Sequence, residues 1–596
     1  MHLGSLKQAL TSELSFALQQ QQTMLELPIG DRIAAGISWP LFRLREHSRQ
    51  RQHLWLVLQK HGRGMLHDGI ERGDLVRVSP ATSTTGYDGR IIDVHNNVIE
   101  VNLLNFPRGT ETPRWLERGE LAITQIVDTS TYESYQRALS TAQRLESPLK
   151  SALLGAWEPL EPEPTSWPEL NPEQAYAAAA AIQEPHLSFV HGPPGTGKTH
   201  LAISVLAAAI NRGQEVWALA DSNAATDHLT CAAAARGLKV LRLGSRYRIG
   251  DAARPYSIYT KLDNHLQQPA LKIYDRDIDQ LPSQHWRERK QLIAERRALL
   301  LQMKRQLCQD ADLITCTLGS LGRQQHILST PDFALIDEAT QAIEPAIWSV
   351  VPLVPKLVLV GDPYQLGPVV LEPGNALQQD LFSRVTKDSC IPMLEEQHRM
   401  NAGLTALIAP TYGPKYRPHA SIAKINLTAL GLPEHPLSAA SCVWVDTAGY
   451  DAEEQRDPVT RSVHNPVEVR LVVHAVEQLL LLGVELSSIS IIAPYSAQVA
   501  ELREAIPGAR VDTVNAFQGQ ESSVVLCTFV RSNPDAELGF VRSAQRLVVS
   551  LSRAQHLWIG VGDSSTLGCW DAFDHIFDVC STSPNQWISA WEWLED

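Results

Sequence analysis

The sequence lacks the features that mark metal-binding, disulfide-stabilised and membrane-spanning proteins. None of its eight cysteines belongs to a C-x-x-C pair, so nothing supports a zinc finger, an iron–sulfur cluster or a disulfide framework, and we expect a reducing compartment. No run of about 18 apolar residues occurs, and the first residues lack the basic-then-apolar order of a signal peptide. We therefore expect a cytoplasmic protein, or a nuclear one in a eukaryote, without a membrane partner.

The sequence also lacks an excess of positive charge. Its 52 Lys and Arg against 66 Asp and Glu give a formal net charge of −14, which excludes a uniformly basic coat for nucleic acid. Any nucleic-acid contact must therefore come from local patches. Residues 285–306 form such a patch, with seven basic and two acidic side chains in a helical pattern. This segment is either a nucleic-acid clamp or a solvated helix face, and the sequence favours neither.

Composition and pattern divide the chain into five segments. Helix formers precede a region of short alternating runs typical of a small β-barrel, and a helical stretch with a Glu-Pro-rich linker follows. Apolar strands then alternate with helices twice over, which predicts two parallel α/β domains. The predicted segments are N-terminal helices at 1–54, a barrel at 55–128, a second helix and linker at 129–157, an α/β domain at 158–385 with a helical insertion at about 247–310, and a second α/β domain at 386–596 with a Trp-rich C-terminal tail.

The strands of the two α/β domains are predicted from short apolar runs between turn residues. In the first domain they are Leu187–His191, Glu215–Leu219, Leu238–Leu243, Asp312–Thr315, Phe333–Ile336 and Lys356–Val360. In the second they are Ser441–Val445, Ile489–Ile492, Val511–Thr513, Val524–Thr528 and Trp558–Val561.

A glycine-rich turn follows the first of these strands. It separates an apolar strand from a helical run, which is the context that a phosphate-binding P-loop requires. Glycines let backbone N–H groups and a helix N-terminus face phosphates. Lys198 is expected to bridge the β- and γ-phosphates, and Thr199 to ligate Mg²⁺. The whole turn is predicted to hold the nucleotide: Gly192, Pro193, Pro194, Gly195, Thr196, Gly197, Lys198 and Thr199.

Adjacent carboxylates complete the predicted phosphate site. Asp337 and Glu338 follow an apolar strand, at the sheet edge where ligands bind in such folds. Asp337 is expected to hold Mg²⁺ through water, and Glu338 to orient and deprotonate the attacking water. The sequence distance from Lys198 to Asp337 is far more than one βαβ unit, which disfavours a minimal kinase or a small GTPase.

Nine segments, in this order along the chain, indicate which kind of NTPase this is. They are Leu170-Asn-Pro-Glu-Gln174, Ala220-Asp-Ser-Asn-Ala-Ala-Thr-Asp227, Ala311-Asp-Leu-Ile-Thr-Cys-Thr317, Asp337-Glu-Ala-Thr-Gln341, Gly361-Asp-Pro-Tyr-Gln365, Glu396-Gln-His-Arg399-Met400, Ala493-Pro-Tyr495, Val511-Asp-Thr-Val-Asn-Ala-Phe-Gln-Gly-Gln-Glu521 and Val549-Ser-Leu-Ser-Arg553. The series resembles the superfamily 1B helicases of the group that includes Senataxin, the immunoglobulin mu-binding helicase and the nonsense-mediated-decay helicase. The resemblance is strong over about residues 165–565 and weaker over the N-terminal helices and barrel, which resemble that group's stalk and barrel.

The resemblance implies an α/β fold of two RecA-like P-loop NTPase domains with ATP and Mg²⁺ between them. It implies that Gln174 reads the adenine edge and that Gln365 senses the γ-phosphate. Arg399 and Arg553 of the second domain would act as arginine fingers. Three further residues are assigned to the nucleotide: His398, which stands where the group usually has Tyr, Gly519, and Glu521 on the ribose hydroxyl.

The resemblance also implies that single-stranded nucleic acid crosses both domains. The expected contacts are hydroxyls, amides and one aromatic ring, which suit phosphates, sugars and stacked bases. They are Ser222, Asn223, Thr315, Thr317, Pro494, Tyr495 and Thr513. Tyr495 is either a stacking platform or a core aromatic residue.

The expected activity is an ATP-dependent helicase or translocase that moves 5′ to 3′ on DNA or RNA. The alternative is an ATP-gated clamp or remodelling ATPase that does not unwind processively. The sequence indicates neither the type of nucleic acid nor any protein partner.

Overall fold

The computed structural model describes residues 2–595, except for residues 35–36, 51–52, 62–69, 71, 84, 96, 105, 108–110, 283–284, 388–390, 458–460 and 584–585. In this described part of the chain, no helix combines the length and apolar character needed to cross a bilayer.

The N-terminal region consists of one long helix, two short helices and a closed six-stranded barrel. The helices are α1 (His2–Glu26), α2 (Ile29–Ala34) and α3 (Arg114–Arg118). The strands are β1 (Ser38–Gln50), β2 (His53–Lys60), β3 (Leu75–Pro80), β4 (Tyr87–His95), β5 (Val98–Leu103) and β6 (Leu121–Gln125), closed in the order β1-β2-β5-β4-β3-β6. Phe42, Leu56, Val78 and Val101 fill the interior. Closure leaves no strand edge unpaired.

The barrel begins earlier than the sequence predicts. Strand β1 lies within residues 1–54, which were predicted to be helical, and it pairs with both β2 and β6. Its outward residues, among them Arg43 and Arg45, are charged, while the inward Phe42 is fully buried. The apolar residues of β1 are too few to produce a clear strand pattern, so the boundary at residue 55 is wrong.

Helix α1 joins the N-terminal region to the first α/β domain. It packs on α4 (Thr129–Arg144), which is followed by α5 (Pro148–Ser151), and Leu10 and Leu139 lie in one core cluster. The buried Glu13 carboxylate accepts hydrogen bonds from the backbone N–H groups of Leu371 (2.7 Å) and Glu372 (2.9 Å). Two peptide donors thus fix the middle of α1 against the first domain.

The first α/β domain is built on a six-stranded parallel sheet. Its strands are β7 (Leu187–His191), β8 (Val216–Ala220), β9 (Val240–Arg242), β10 (Leu313–Thr317), β11 (Phe333–Asp337) and β12 (Leu357–Gly361), in the order β7-β12-β11-β8-β10-β9. The helices of this region are α6 (Pro172–Gln183), α7 (Lys198–Asn211), α8 (Asn223–Ala235), α9 (Ile258–Asp263), α10 (Gln268–Gln280), α11 (Trp286–Gln309), α12 (Leu318–Gln324), α13 (Glu344–Trp348) and α14 (Leu381–Thr386). Burial on both faces explains the near-continuous apolar strands.

Helices α9 to α11 lie between strands β9 and β10. Helices α10 and α11 pack on each other, and Arg296 of α11 donates to Asp275 of α10 at 2.6 Å. Met303 is fully buried near the C-terminal end of α11, whereas much of the N-terminal half is exposed. The pair therefore projects from the sheet domain.

The second α/β domain has its own six-stranded parallel sheet. Its strands and the short pairs beside it are β13 (Glu396–Gln397), β14 (Arg417–Pro418), β15 (Cys442–Asp446), β16 (Gln455–Arg456), β17 (Val463–His464), β18 (Ile489–Ala493), β19 (Arg510–Thr513), β20 (Ser522–Thr528), β21 (Ala554–Gly562) and β22 (Trp587–Ser589). The sheet order is β19-β18-β20-β21-β15-β22. The helices are α15 (Ala402–Tyr412), α16 (Pro436–Ala439), α17 (Pro466–Leu481), α18 (Ser496–Ala505), α19 (Ala544–Leu551), α20 (Ser564–Leu567), α21 (Asp574–Cys580) and α22 (Ala590–Glu595).

The Trp-rich tail packs on this second domain. Strand β22 adds a parallel edge to β15, with Trp587 opposite Trp444. The indole N–H of the buried Trp593 in α22 donates to the backbone oxygen of Leu471 at 3.2 Å. The tail is therefore part of the domain core.

Candidate nucleotide site

The P-loop connects the end of β7 to the start of α7. Gly195 and Gly197 have φ angles of 72° and 78°, a left-handed conformation that side chains other than glycine rarely adopt. A Cβ atom on Gly192 would lie 2.2 Å from Cγ of Lys198, so the Lys198 side chain leaves no room for any residue other than glycine at position 192. The Lys198 ammonium donates to the backbone oxygen of Gly192 at 2.7 Å. The turn thus aims the first N–H groups of α7 into an open cleft.

The Gln174 side chain is hydrogen-bonded to the backbone of the P-loop. Its amide nitrogen donates to the backbone oxygen of Thr196 at 2.9 Å, and its amide oxygen accepts from the backbone N–H of Asn171 at 3.2 Å. Thr196 is itself buried and donates to the backbone oxygen of Pro193 at 2.8 Å. The Gln174 side chain, predicted to read adenine, therefore has both polar atoms bonded within the protein, and contact with a base requires an exchange of partners.

Asp337 and Glu338 stand at the C-terminal end of β11, beside the P-loop. Glu338 has a φ angle of 50°, a left-handed conformation that is costly for a residue with a side chain. Its Oε2 atom is buried and has no hydrogen-bond partner among the described residues. Burial and the neighbouring Glu338 charge raise the pKa of Asp337, and the Lys198 charge opposes that rise. A partnerless buried carboxylate oxygen beside a second carboxylate fits a site that receives a hard cation and a water molecule.

A buried carboxylate connects the P-loop strand to the second domain. Asp362 follows β12 and accepts hydrogen bonds from the Gln365 amide at 2.6 Å and from the Tyr412 hydroxyl at 2.7 Å. Burial opposes ionisation, but the hydrogen bond from His191 and the charge of Lys198 lower the pKa of Asp362. Asp362 therefore bonds to residues of both domains.

Arg553 reaches from the second domain to Gln365 of the first. Its guanidinium donates to Gln365 Oε1 at 3.1 Å, and it also donates to the backbone oxygens of Val549 (3.1 Å) and Gln520 (3.3 Å). Burial and the positive charge of Arg399 lower the pKa of Arg553, while carboxylates including that of Glu338 oppose this. The predicted γ-phosphate sensor and one predicted arginine finger are thus in direct contact.

Arg399 lines the cleft together with the P-loop, whereas Arg553 does not line it. Its guanidinium donates to Glu521 Oε2 at 2.6 Å and to the backbone oxygen of Ser552 at 3.1 Å. The other Glu521 oxygen accepts from Gln555 at 2.9 Å. Burial alone would raise the pKa of Glu521, but the charge of Arg399 and these hydrogen bonds outweigh it and lower that pKa. Glu521, predicted to bind the ribose, is therefore bonded to a predicted arginine finger, Arg399, in this structure.

His398 also contacts the P-loop through its backbone. Its N–H donates to the backbone oxygen of Gly195 at 2.8 Å, and its ring stacks on His419 with centroids 4.6 Å apart. The Tyr416 hydroxyl donates to the backbone oxygen of Pro194 at 2.7 Å. The segment around His398 thus carries second-domain residues to the edge of the P-loop.

Most of these groups line one cleft of about 650 Å³. Its lining includes Pro193, residues 195–199, Asp337, Glu338, His398, Arg399, Gly519 and Glu521. The lining does not include Gly192, Pro194, Gln174, Asp362, Gln365 or Arg553. Among the lining residues to which the sequence analysis assigned no role are Gln341, Arg510 and Gln518. Gln341 and Gln518 lie inside two of the nine quoted segments, and Arg510 directly precedes one of them, so proximity to those segments was the available signal.

Four predicted nucleic-acid contacts fall near the first sheet, and the structure buries two of them. Thr315 is fully buried, with its hydroxyl 2.7 Å from that of Thr230, and Thr317 is buried and donates to Ser320. The Thr315 hydroxyl is enclosed against Thr230, whereas Thr317 is 5% exposed and its hydroxyl is bonded to Ser320 of α12. Ser222 caps α8 and lines the nucleotide cleft, while Asn223 accepts from the buried Arg242 at 3.1 Å.

The remaining three predicted contacts are in the second domain. Pro494 and Tyr495 border a surface groove of about 510 Å³, and Thr513 ends the edge strand β19. The Tyr495 hydroxyl accepts from Arg531 at 3.2 Å, and its ring meets that of the exposed Phe540 edge to face. Tyr495 is therefore a wall of an open groove rather than a buried core residue. The exposed basic side chains at this groove are Arg456 and Arg461, whereas Arg531 is buried and paired with Glu454 at 2.6 Å.

Two family models, both described as AAA domain, match the chain one after the other. One matches residues 377–565, and the other matches residues 169–282 and 271–373. The two matched regions correspond to the two parallel sheets that meet at the cleft.

Curated relatives match most of the chain. DNA-binding protein SMUBP-2 of Mus musculus is 29% identical over 80% of this chain and 51% of its own length. An uncharacterized ATP-dependent helicase of Methanocaldococcus jannaschii is 26% identical over 84% of both chains. The regulator of nonsense transcripts 1 homolog of Arabidopsis thaliana is 31% identical over 67% of this chain and 33% of its own length. This chain spans about half the length of the SMUBP-2 relatives. Together with the paired AAA domains, these matches show that the chain belongs to the superfamily 1B helicases.

Proposed function

We propose that this protein is an ATP-dependent helicase or translocase that moves 5′ to 3′ on single-stranded DNA or RNA. We assign ATP hydrolysis to the junction of two RecA-like domains, at residues 158–385 and 386–596. The hydrogen bond between Gln365 and Arg553 carries the proposal, because it joins the two domains at the buried side of the cleft. The relative from Methanocaldococcus jannaschii is named an ATP-dependent helicase, which supports the same activity here.

The P-loop would bind the nucleotide phosphates. Its glycines expose the N–H groups at the start of α7, which attract anions through direct hydrogen bonds and the helix dipole. Lys198 would exchange its bond to the backbone oxygen of Gly192 for phosphate oxygens. That exchange replaces a neutral acceptor with a charged one and so favours the bound state.

Thr199 and Asp337 would hold Mg²⁺, which when bound neutralises charge on the phosphates and polarises their oxygens. Glu338 would act on the attacking water. Its Oε2 atom is buried and unbonded among the described residues, so it is available to accept the proton of that water.

The two arginines would couple hydrolysis to the position of the second domain. Arg399 and Arg553 both belong to that domain, so their charges reach the transferring phosphate only while the cleft is closed. Glu521 holds the Arg399 guanidinium before the nucleotide arrives, and Gln365 holds that of Arg553. Loss of the γ-phosphate would then weaken the contact between the domains and permit them to separate.

The strand would run over exposed and half-buried residues of both domains. Asn223 and Ser222 at the start of α8, and Thr513, Pro494 and Tyr495 on the second domain, are the proposed contacts. The groove beside Tyr495 offers aromatic rings and guanidinium groups, which suit stacked bases and phosphates. Movement of one set of contacts relative to the other would advance the strand.

A strand-displacement assay tests this proposal. We expect displacement on duplexes with a 5′ single-stranded tail and none on duplexes with a 3′ tail, with DNA and RNA tails compared at equal length. Lys198→Ala should abolish displacement, whereas Lys424→Ala, a change at an exposed lysine, should preserve it. ATP-dependent retention of the strand without displacement on any substrate would instead support the clamp.

A further inference from the structure

The exposed half of α11 carries apolar and basic side chains on a single face. Trp286, Lys290, Ile293 and Arg297 recur at intervals of four, three and four residues, so they form one stripe along the helix. Trp286 is 60% exposed and Ile293 is 49% exposed, in contrast to the fully buried Met303 further along. A single exposed apolar side chain needs no explanation, but two large ones on one face between basic side chains form a patch of the kind that marks interaction sites.

Four of the seven basic residues of α11 form two distinct pairs. Arg296 is bonded to Asp275, and Arg305 donates to the backbone oxygen of His326 at 3.0 Å. Lys290 and Arg297 are exposed and have no hydrogen-bond or ion-pair partner among the described residues. The first pair therefore holds the insertion together, and the second pair is available to a ligand.

The acidic residues of α11 lie away from the stripe. Glu288 is 3.3 Å from the His285 ring, and the Glu295 carboxylate accepts from Gln291 at 2.9 Å. At about 100° per residue, both carboxylates project from nearly the opposite side to Trp286. The stripe thus presents positive charge without a competing carboxylate of its own helix.

We propose that this stripe binds a segment of single-stranded nucleic acid outside the ATP cleft; the inference rests on the proposed function. Lys290 and Arg297 supply charges for phosphates, and the Trp286 indole supplies a flat face for a base. Arg287 lies 5.2 Å over the same indole, which adds a cation beside the stacking position. The stripe is ~16 Å long at 1.5 Å per residue, a length that matches two to three nucleotides.

Binding of fluorescently labelled oligo-dT and oligo-U to the full chain, at several salt concentrations, tests this site. The double variant Lys290→Ala/Arg297→Ala should bind more weakly and reduce the salt slope by about 1.4, or about 0.7 for each phosphate that is no longer neutralised. Trp286→Ala should weaken binding about 5- to 150-fold with an unchanged slope, because stacking releases no counterions. Lys272→Ala, an exposed lysine of α10, is the matched control and should change neither quantity.

Three results would overturn the site. ATPase activity without nucleic acid should stay unchanged in every variant, which confirms that the variants fold. If the stripe variants bound the oligonucleotides with the same affinity and salt slope as the unmodified protein, the stripe would not be a binding site. The proposed function would still stand if strands stimulated the ATPase. Displacement of the oligonucleotide by polyglutamate from the unmodified protein, but not from the double variant, would instead assign the stripe to an acidic protein partner. Absence of any strand binding would contradict the proposed function as well.

Discussion

At the scale of single residues, Arg553 depends on a geometry that only a guanidinium provides. It bonds Gln365, Val549 and Gln520 from a fully enclosed position. Arg553→Lys keeps the positive charge but replaces the planar, multi-donor guanidinium with a single ammonium group. The Gln365 side-chain oxygen therefore loses its hydrogen bond from the second domain. We expect strand-stimulated ATP turnover to fall by about 10- to 1000-fold with little change in ATP binding. Steady-state ATPase and nucleotide-binding measurements check this, with Arg118→Lys on the exposed surface of α3 as the control.

If Arg553→Lys turned over ATP as fast as the unmodified protein, Arg553 would be a structural residue of the domain junction and not an arginine finger. A fall in ATP affinity of the same size as the fall in turnover would also contradict a role confined to the transition state.

Glu338 is proposed to accept the proton of the water that attacks the phosphate. Glu338→Gln keeps the size of the side chain but removes its basicity, so we expect turnover to fall at least about 100-fold while ATP and strand binding persist. The strained backbone at Glu338 is unchanged by this substitution, so folding should be preserved. Single-turnover hydrolysis with Glu434→Gln, an exposed glutamate, as control checks the result. Turnover equal to that of the unmodified protein would assign the proton transfer elsewhere.

At the scale of elements, the sequence predicts buried strands well and half-exposed ones poorly. Each strand of the first sheet begins and ends within two residues of its prediction, because apolar residues run almost unbroken through strands that are covered on both faces. Strand β1 was missed because its outer face is charged. Strand β21 begins at Ala554 rather than Trp558, since its first residues include the polar Gln555 and His556.

In the candidate site, too, the sequence predicts some features and leaves others undetermined. Local pattern locates the P-loop and the Asp337–Glu338 pair, because their roles follow from residues adjacent in sequence. The orientation of a single side chain does not follow from pattern, and the predicted surface residue Thr315 is buried against Thr230. The bond between Gln365 and Arg553 joins residues 188 positions apart, so only the folded chain reveals it.

Glu344 gives a prediction about how the helices are joined. Its carboxylate in α13 accepts from Arg384 of α14 at 2.6 Å and from Trp348 at 2.9 Å, and it lies 2.8 Å from the His2 ring of α1. Burial opposes ionisation, but these bonds lower the pKa of Glu344 below its ordinary value of 4.5. A lowered folded-state pKa gives stability that is present above pH 4.5 and lost as the pH falls through the folded value.

We therefore expect Glu344→Gln to lower the free energy of unfolding by ~1–3 kcal/mol at pH 7, and by less near pH 4. Urea unfolding at both pH values measures the two differences. Glu434→Gln, with its exposed side chain, should leave the free energy of unfolding unchanged at both. An equal loss at the two pH values would show that ionised Glu344 does not contribute through these bonds.

At the scale of the whole molecule, the net charge of −14 limits how nucleic acid can bind. An acidic surface repels the backbone except where basic side chains are grouped, and the structure groups them at the groove beside Tyr495 and on the α11 stripe. Contacts confined to these two places neutralise few phosphates. Affinity must then depend also on stacking and on neutral hydrogen bonds, which do not weaken with salt.

We therefore expect a shallow dependence of strand affinity on salt. Three to six phosphate contacts give a slope of about −2 to −4 for log K against log salt on single strands, at about 0.7 for each contact. Titrations of a labelled strand between low and physiological salt measure this slope, and an uncharged backbone analogue of the same sequence should bind with almost none. A slope near −7, equivalent to about ten ion pairs, would require basic surfaces larger than the groove and the stripe together and would contradict this distribution of charge.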